Sequence, residues 1–239
     1  MAYSYTLTEE QELLLQSLRE WYAQNLDEQK VKSYYEAEGV AEDVQKSYVD
    51  AGFGMIGLPE SVGGTEADKL TQILVVEELG RLAGAMLPMA GNILAVHDIT
   101  EFGNEAQIKM VMEYYKEHGK PPFSLAFSEP GAGSDNMNMS AVVTTDADGV
   151  MRLNGQKTWV SNGGNTDYAL VIAKDEDPSR SNNKMSWWLL PMDRPGVKFE
   201  PLEKIGNKIM PFGDLFLDDV VVTEADRVGE KGKGFFQLM

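Results

Sequence analysis

The chain has 239 residues, of which 43% are hydrophobic and 25% charged, and these proportions are typical of a globular protein with one large domain or two ordinary ones. Its formal net charge of −17 argues against binding to nucleic acid, whose phosphates need clustered Lys and Arg, and against binding to an anionic membrane surface. Because the sequence has no Cys, disulfides, thiolate metal sites and a cysteine nucleophile are excluded, and a reducing compartment is favoured.

The amino-terminal segment 1–7 lacks the basic start and the apolar core of a signal peptide, and Glu9, Glu10 and Glu12 follow at once. The longest apolar runs of the sequence are too short to span a bilayer. We therefore expect a soluble, cytoplasmic protein.

Helical periodicity dominates the first half of the chain. Thr8 and Gln11 form the capping box of a first helix, in which apolar residues recur at helical spacing to about Leu26. The pattern changes at Lys120-Pro-Pro122, so we predict an all-helical domain over residues 1–121. Further helices are predicted over residues 42–51, 67–82, 89–99 and 105–117.

The second half is rich in short β-forming segments separated by turn signals, one of which is Asn154-Gly155. Evenly spaced short strands favour an antiparallel β-barrel or β-sandwich, which we predict over residues 122–231. The predicted fold class is therefore α+β, with an all-α amino-terminal domain followed by an antiparallel β-domain. Residues 175–184 are predicted to form a polar surface loop. Strands are predicted over residues 140–145, 151–154, 158–161, 168–173, 185–190 and 197–200, with a strand pair or a bent strand over 215–222.

The segment Phe127–Asp135 carries the first functional signal. It follows a hydrophobic run, turns at Pro130 and Gly131, and presents Gly133 and Ser134. Glycines there let a ligand approach the main chain, and successive backbone N–H groups in such a turn form an anion-binding concavity. The same residues are good turn formers, and the third glycine of the dinucleotide-binding fingerprint does not occur, so a plain surface turn is the alternative.

The segment Gln156–Gly163 carries the second signal. Trp159 and Ser161 occupy alternate positions of a predicted strand and should therefore lie on one face. An aromatic plate beside a hydroxyl suits a flat ring with polar edges. As an isolated feature, a strand Trp is more often a core or surface aromatic than a cofactor platform.

Together the two segments resemble the flavin-binding middle domain of the acyl-CoA dehydrogenase family. One family pattern occurs as Ser128-Glu-Pro-Gly-Ala-Gly-Ser-Asp135 and a second as Gly155-Gln-Lys-Thr-Trp-Val-Ser-Asn-Gly163. The resemblance extends from about Leu7 to Met239 and includes the family's order of a helical domain followed by a β-domain. Further matches are the segments 55–64, 77–81, 216–222 and 232–235.

The resemblance implies that FAD lies along the β-domain and is held in part by a neighbouring subunit. Gly133 and Ser134 would meet the pyrophosphate, and Ser134 would also touch the pantetheine of the acyl-CoA substrate. Trp159 would cover one side of the isoalloxazine ring, and the Ser161 hydroxyl would bond to its N5.

At the edge of the ring, the resemblance implies contacts from the backbone of Leu125 and Phe127 and from the hydroxyl of Ser128. Two of these positions depart from the family pattern. An aromatic residue is common in relatives at the position of Leu125, and an aliphatic residue at the position of Phe127. The pocket beside the flavin is therefore expected to differ from theirs, which leaves substrate choice open.

The implied reaction is α,β-oxidation of a CoA thioester in fatty acid metabolism, or its reverse in an enoyl-CoA reductase. An electron-transferring flavoprotein would be the redox partner, and the enzyme would be a homo-oligomer, either a dimer or a tetramer. In this family a Glu of a third, helical domain removes the α-proton. We expect residues 232–239 to begin that domain, so the 239 residues should hold no catalytic base and be inactive alone.

No other residue is a credible base or metal ligand on sequence grounds. Glu77 and Glu78 are expected at a helix surface or packing edge, Glu129 is expected to hold the turn, and His97 and His118 are expected to be structural or exposed. No metal site is predicted, because neither His has a second His at i+4.

Two alternatives stay open. The chain could be a short, non-catalytic FAD-binding protein or the half-site partner of a complete subunit. It could also be an acyl-CoA oxidase or another flavin enzyme of the same fold.

Overall fold

The computed structural model describes residues 6–176 and 184–238. Within these ranges a helical part precedes a sheet, which confirms the predicted α+β fold class. The chain forms two compact units, one containing the residues up to Leu94 with Lys116–Lys120 and Asn207–Ile209, and the other containing the remaining described residues. The domain boundary placed between residues 121 and 122 stays a prediction. The helices are α1 (Glu9–Asn25), α2 (Glu28–Glu36), α3 (Glu42–Asp50), α4 (Lys69–Ala83), α5 (Met89–Phe102), α6 (Glu105–His118) and α7 (Gly234–Leu238).

The first helix begins as the sequence predicts. The Thr8 hydroxyl accepts from the Gln11 N–H at 3.2 Å, and the Gln11 side-chain carbonyl accepts from the Thr8 N–H at 3.1 Å. Each side chain thus satisfies a backbone donor that the helix leaves free. The sequence did not predict α2. This helix buries only Val31, so its sequence shows no apolar periodicity that would indicate a helix. Its start is stabilised by Asp27, whose carboxylate accepts from the Lys30 N–H at 2.7 Å.

Eight strands of the described residues form one sheet. They are β1 (Phe123–Ala126), β2 (Val142–Thr145), β3 (Met151–Ser161), β4 (Tyr168–Asp175), β5 (Met185–Pro191), β6 (Val197–Leu202), β7 (Phe212–Val222) and β8 (Arg227–Val228). Seven of them follow the order β6-β7-β3-β2-β4-β5-β8, and β1 pairs with β4. The apolar core of the sheet consists of Ala126, Ala141, Val143, Leu153, Val160, Ala169, Val171, Ala173, Trp188, Leu190, Leu215, Leu217, Val220 and Val222.

The sheet is mixed, whereas the sequence predicts a purely antiparallel one. Both β1 and β2 run parallel to β4, and all other strand pairs are antiparallel. Since β5 occupies one edge of β4 along its length, β1 and β2 lie end to end on the other edge. Ala126 is opposite Val171, and Val142 is opposite Lys174. The chain leaves that edge and returns to it in the same direction, and this geometry cannot be recognised from strand spacing.

The turn predicted at Asn154-Gly155 is wrong, because β3 continues through both residues. Gly155 has a φ of 152° and lies at a shift in the register with β7, so this glycine forms a β-bulge. A Cβ atom on Gly155 would lie 2.6 Å from the Cβ of Ala141, which explains the glycine by close approach. Residues 215–222 belong to one long strand, β7, which agrees with the second of the two predicted alternatives, a bent strand, because Asp219 has a left-handed φ of 50°.

The polar loop predicted over residues 175–184 lies largely outside the described residues, which end at 176 and resume at 184. Along the described ranges, no helix combines the length and the apolar character needed to cross a membrane.

Candidate functional site

Residues 127–141, which we call the site loop, leave the sheet where β1 and β2 meet end to end along β4. In the first half of this loop, the Glu129 N–H donates to the Ala132 carbonyl at 3.0 Å and the Ala132 N–H donates to the Glu129 carbonyl at 3.1 Å. The chain therefore reverses at Pro130 and Gly131, as the sequence predicts.

The carboxylate of Glu129 holds the two ends of the site loop together. One of its oxygens, Oε2, accepts from the Ser140 N–H at 2.5 Å and from the Ser140 hydroxyl at 2.7 Å. The other, Oε1, accepts from the Ala141 N–H at 2.9 Å and from the Lys157 ammonium at 2.8 Å. Glu129 therefore has the turn-holding role expected for it, with far more bonds than a turn requires.

Lys157 reaches the site loop from β3 and is fully buried, with 0% of its side chain exposed against 3% for Glu129. Its ammonium also donates to the Phe127 carbonyl at 3.0 Å and lies 3.8 Å from the sulfur of Met139. The sequence did not reveal this role, since lysines are rarely buried. One signal was available: the first motif contains an acidic residue, Glu129, and the second a basic one, Lys157. Since a buried charge needs a partner of opposite sign, the two could have been paired.

The surroundings of the pair determine its ionisation. Burial alone would raise the pKa of Glu129, but the hydrogen bonds from Lys157, Ser140 and Ala141 outweigh it and hold that pKa below its ordinary value. Burial lowers the pKa of Lys157, and the neighbouring carboxylate offsets only part of that effect. Glu129 is therefore ionised at neutral pH, with its oxygens committed to the loop.

Two backbone N–H groups of the site loop, those of Phe127 and Ser128, take no part in this anchor. The Phe127 carbonyl is bonded to Lys157, and the Ser128 carbonyl accepts from the Thr158 N–H at 2.8 Å. Because the peptide between Phe127 and Ser128 is trans, the Ser128 N–H points opposite to the Phe127 carbonyl. Among the described residues, the N–H groups of Phe127 and Ser128 have no hydrogen-bond partner. Phe127 and Ser128 are half-buried, and backbone donors away from water normally have a partner. A ligand that accepts from these two N–H groups would supply the partner that the described residues do not.

Trp159 lies beside the anchor, in a bulge of β3 between the paired residues Lys157 and Val160. Its φ of 59° is in the left-handed region, which is uncommon for a bulky residue and costs about 1–3 kcal/mol. The residue is 63% exposed, while Val160 is buried and Ser161 is half-buried. An exposed indole held in a strained backbone conformation is typical of a ligand platform, not of a packing residue.

Two hydrogen bonds to one carboxylate on the neighbouring strand support the bulge. The Thr158 hydroxyl donates to the Asp214 carboxylate at 2.6 Å, and the Gln156 amide donates to the other oxygen of that carboxylate at 3.2 Å. Asp214 belongs to β7, so the bulged strand is fixed to its neighbour on both sides of Lys157. The sequence did not identify Asp214.

Gly133 and Ser134 lie in the exposed part of the site loop. A Cβ atom added to Gly133 would meet no other described atom within 4 Å, and its φ is outside the left-handed region. Neither packing nor backbone conformation therefore requires glycine there, and the open space above it would admit a ligand close to the main chain.

Gly163, at the end of the second motif, has a different explanation. A Cβ atom on Gly163 would lie 2.4 Å from the ring of Phe199, and one on Gly213 would lie 2.1 Å from the same ring. These glycines therefore make room for a partly buried aromatic side chain that packs against the sheet core.

Comparison with known protein families gives one consistent result for both halves of the chain. The model of the acyl-CoA dehydrogenase N-terminal domain matches residues 8–114, and the model of the middle domain of the same family matches residues 124–220. The chain belongs to the acyl-CoA dehydrogenase family.

Individual relatives and solved structures match nearly the whole chain. The probable acyl-CoA dehydrogenase YdiO of Escherichia coli K12 is 36% identical over 235 residues, which cover 98% of this chain and 61% of the relative. An acyl-CoA dehydrogenase structure from Slackia heliotrinireducens is 30% identical, with a TM-score of 0.83, and covers 100% of this chain and 61% of its own. A chain of the ChsE4-ChsE5 complex from Mycobacterium tuberculosis is 26% identical, with a TM-score of 0.84, over 100% of this chain and 60% of its own. The chain thus spans about three fifths of the length of these relatives.

The residues that the acyl-CoA dehydrogenase resemblance assigns to FAD come from two neighbouring segments. Leu125 is half-buried in β1, and Trp159 and Ser161 lie at the end of β3. The open N–H donors, the free space at Gly133 and the exposed indole together fit a flat ring that carries a phosphate-bearing arm. The individual contacts of the ligand stay predictions. The assigned residues of the site loop are Phe127, Ser128, Gly133 and Ser134.

Glu78, His97 and His118, which lie outside the site loop, each have a charged neighbour. Glu77 is exposed, whereas Glu78 is buried between Arg19 and Arg81. His118 lies 2.7 Å from the Glu42 carboxylate and His97 lies 3.6 Å from that of Glu101. Over residues 6–176 and 184–238, no group of three or more His, Asp or Glu side chains could hold a metal ion.

Proposed function

We propose that this chain is the flavin-binding part of an FAD-dependent acyl-CoA dehydrogenase, or of an enoyl-CoA reductase that runs the same reaction in reverse. The observation that carries the proposal is the placement of the exposed, left-handed Trp159 next to the unpaired N–H groups of Phe127 and Ser128. A planar ring with acceptors along one edge would stack on the indole and accept hydrogen bonds from the two N–H groups.

Different residues would contact different parts of the cofactor. Trp159 would stack against one face of the isoalloxazine ring, and the Ser161 hydroxyl would donate to N5, which is one of the protein's means of adjusting flavin chemistry. Leu125, Phe127 and Ser128 would meet the polar edge of the ring. The exposed Gly133 and Ser134 would meet the pyrophosphate through the main chain and a hydroxyl.

When bound, FAD would supply the acceptor for a hydride from the β-carbon of an acyl-CoA. The chain's own residues would hold the ring, exclude water from one of its faces and place Ser134 near the pantetheine arm. We propose no base among residues 1–239. In the family the base is a Glu of a third helical domain, and the relatives are longer than this chain.

We further propose that the whole enzyme is a homo-oligomer and passes its electrons to an electron-transferring flavoprotein. The proposal of an oligomer is supported by the resemblance, in which part of the FAD site comes from a neighbouring subunit. The Mycobacterium tuberculosis neighbour is a complex of ChsE4 with ChsE5, which supports assembly with a further subunit without indicating that the subunits are identical. The cytoplasmic location stays a prediction.

The proposal is tested by titrating the purified chain with FAD and recording its visible spectrum. A yellow flavin band that shifts on binding is expected. Ser134→Asp should weaken binding strongly, because its carboxylate would repel the pyrophosphate. The control Thr145→Asp adds the same charge at an exposed position of the same sheet and should bind like the parent. Equal affinity of the Ser134 variant and the parent at low salt would refute the phosphate assignment.

A further inference from the structure

The buried ion pair between Lys157 and Glu129 joins three separate stretches of the chain. It contacts the start of the site loop through the Phe127 carbonyl, its end through Ser140 and Ala141, and β3 through Lys157 itself. The contacts assigned to FAD above use neither of the two charged groups.

Stability alone is a weak explanation for this pair. Taking two charges out of water costs free energy, and well-packed apolar residues often replace a buried ion pair without loss of stability. An ion pair can do one thing that apolar residues cannot: its ammonium donates a hydrogen bond to one particular carbonyl and so fixes the orientation of that peptide. By holding the Phe127 carbonyl at 3.0 Å, Lys157 fixes the plane of the peptide that also contains the Ser128 N–H.

The orientation of that peptide matters because its other end is unpaired. The Ser128 N–H points away from Lys157 and has no partner among the described residues. The next carbonyl along the chain, that of Ser128, is fixed by the Thr158 N–H at 2.8 Å. Consecutive residues of β3 thus hold consecutive carbonyls of the site loop, and Trp159 follows directly. One short stretch of β3 sets both the ring platform and the direction of the amide donor.

We propose that Lys157 is a positioning residue for the flavin, which it serves by holding the Phe127 carbonyl so that the Ser128 N–H faces the edge of the ring. This role rests on the proposed binding of FAD. Glu129 keeps the ammonium in place and closes the site loop around it. A hydrogen bond from an ammonium also polarises the peptide it reaches, which makes the Ser128 N–H a stronger donor. A stronger donor at the ring edge favours the electron-rich reduced flavin over the oxidised one.

The test compares Lys157→Met, the double variant Glu129→Gln/Lys157→Met and the control Lys198→Met. The double variant leaves no unpaired buried charge, so it keeps the test valid if Lys157→Met alone does not fold. Lys198 forms an exposed pair with Glu200 on β6, with 70% and 51% of the two side chains exposed. Its loss should change neither folding nor flavin binding.

Three quantities are measured on each protein: thermal unfolding without FAD, the dissociation constant for FAD, and the midpoint potential of the bound flavin. In the folded double variant we expect FAD binding to weaken about tenfold, as for one lost oriented hydrogen bond, and the midpoint potential to become more negative. A purely structural role would lower the unfolding temperature and leave the potential of the bound flavin unchanged.

The results separate two failures. If the folded double variant matches the parent in both FAD affinity and midpoint potential, the positioning role is refuted while FAD binding stands. If the parent chain itself shows no flavin band at saturating FAD, the proposed function is wrong, and the positioning role fails with it.

Discussion

The carboxylate of Glu78 receives two parallel hydrogen bonds from the guanidinium of Arg81, each 2.7 Å long, one turn further along α4. Arg19 of α1 donates a third bond to the same carboxylate at 2.5 Å. A buried acidic side chain thus joins the two helices, and the sequence places it next to an exposed one, Glu77. The pair of neighbouring glutamates therefore offers a matched experiment.

We expect Glu78→Gln to destabilise the protein by about 1–3 kcal/mol, because charge-assisted bonds to two arginines are lost, and Glu77→Gln to change little. The bonds from Arg81 and Arg19 lower the pKa of Glu78 to about 2. Since the folded-state pKa lies below the ordinary value of 4.5, the stabilisation is complete above about pH 4.5 and disappears as the pH falls toward 2. Urea denaturation of both variants at several pH values measures this. A stability difference between Glu78→Gln and the parent that does not shrink toward pH 2 would contradict the assignment.

Trp159 is expected to show a conflict between stability and ligand binding. Trp159→Gly should relieve the left-handed strain and be more stable than Trp159→Ala by about 1 kcal/mol in the absence of FAD. Both variants should bind FAD more weakly than the parent, because the ring platform is gone. Denaturant unfolding without ligand and FAD titration measure the two effects. If Trp159→Ala bound FAD like the parent, the platform role would be wrong.

Gly155 and Gly133, one glycine from each motif, should respond differently to the same substitution. Gly155→Ala should lose about 1–3 kcal/mol of stability, since its Cβ atom would overlap Ala141 and its φ is unfavourable. Gly133→Ala should leave the unfolding temperature unchanged without FAD and weaken FAD binding, because its methyl group would occupy the space proposed for the pyrophosphate. Gly131→Ala, whose added Cβ also meets open space, is the control and should do neither. Loss of stability in Gly133→Ala would indicate a packing role instead.

Catalysis is expected to need residues outside this chain. A positioned general base typically contributes 10²–10⁴-fold to such reactions, and no base is proposed among residues 1–239. We expect these 239 residues, saturated with FAD, to show negligible acyl-CoA dehydrogenase activity, and a protein extended by a third helical domain to be active. Reduction of an artificial electron acceptor by a panel of acyl-CoAs, per bound flavin, compares the two. Similar turnover in both would mean that the base lies within the chain.

The features that the sequence predicted correctly are those with local causes. The capping box of Thr8 and Gln11 and the turn at Pro130 and Gly131 each depend on residues within three positions of one another. The errors depend on distant contacts. Asn154-Gly155 has the composition of a hairpin turn, yet the approach of Ala141 makes the glycine part of a bulge.

The charged anchor of the site was not predicted for the same reason. Lys157 and Glu129 are 28 positions apart in sequence, and nothing in the local pattern of β3 indicates that the lysine is buried. The family motifs include both residues, but a motif match does not say which of its members touch. The parallel pairing of β1 and β2 with β4 was likewise invisible, since it requires knowledge of which edge each strand joins.

The end-to-end arrangement of β1 and β2 along β4 has a consequence for how this protein can change over evolutionary time. The site loop connects two strands that pair with the same edge of β4, and the pairing of Ala126 with Val171 and of Val142 with Lys174 holds each end independently. The segment 133–138 between these ends, most of which is exposed, can be exchanged, shortened or lengthened without shifting the register of the sheet, provided that Glu129, the buried Ala141 and Lys157 of β3 are kept. Ligand preference can therefore vary through this segment while the β-scaffold stays constant, and grafting the segment between relatives should transfer that preference with little loss of stability.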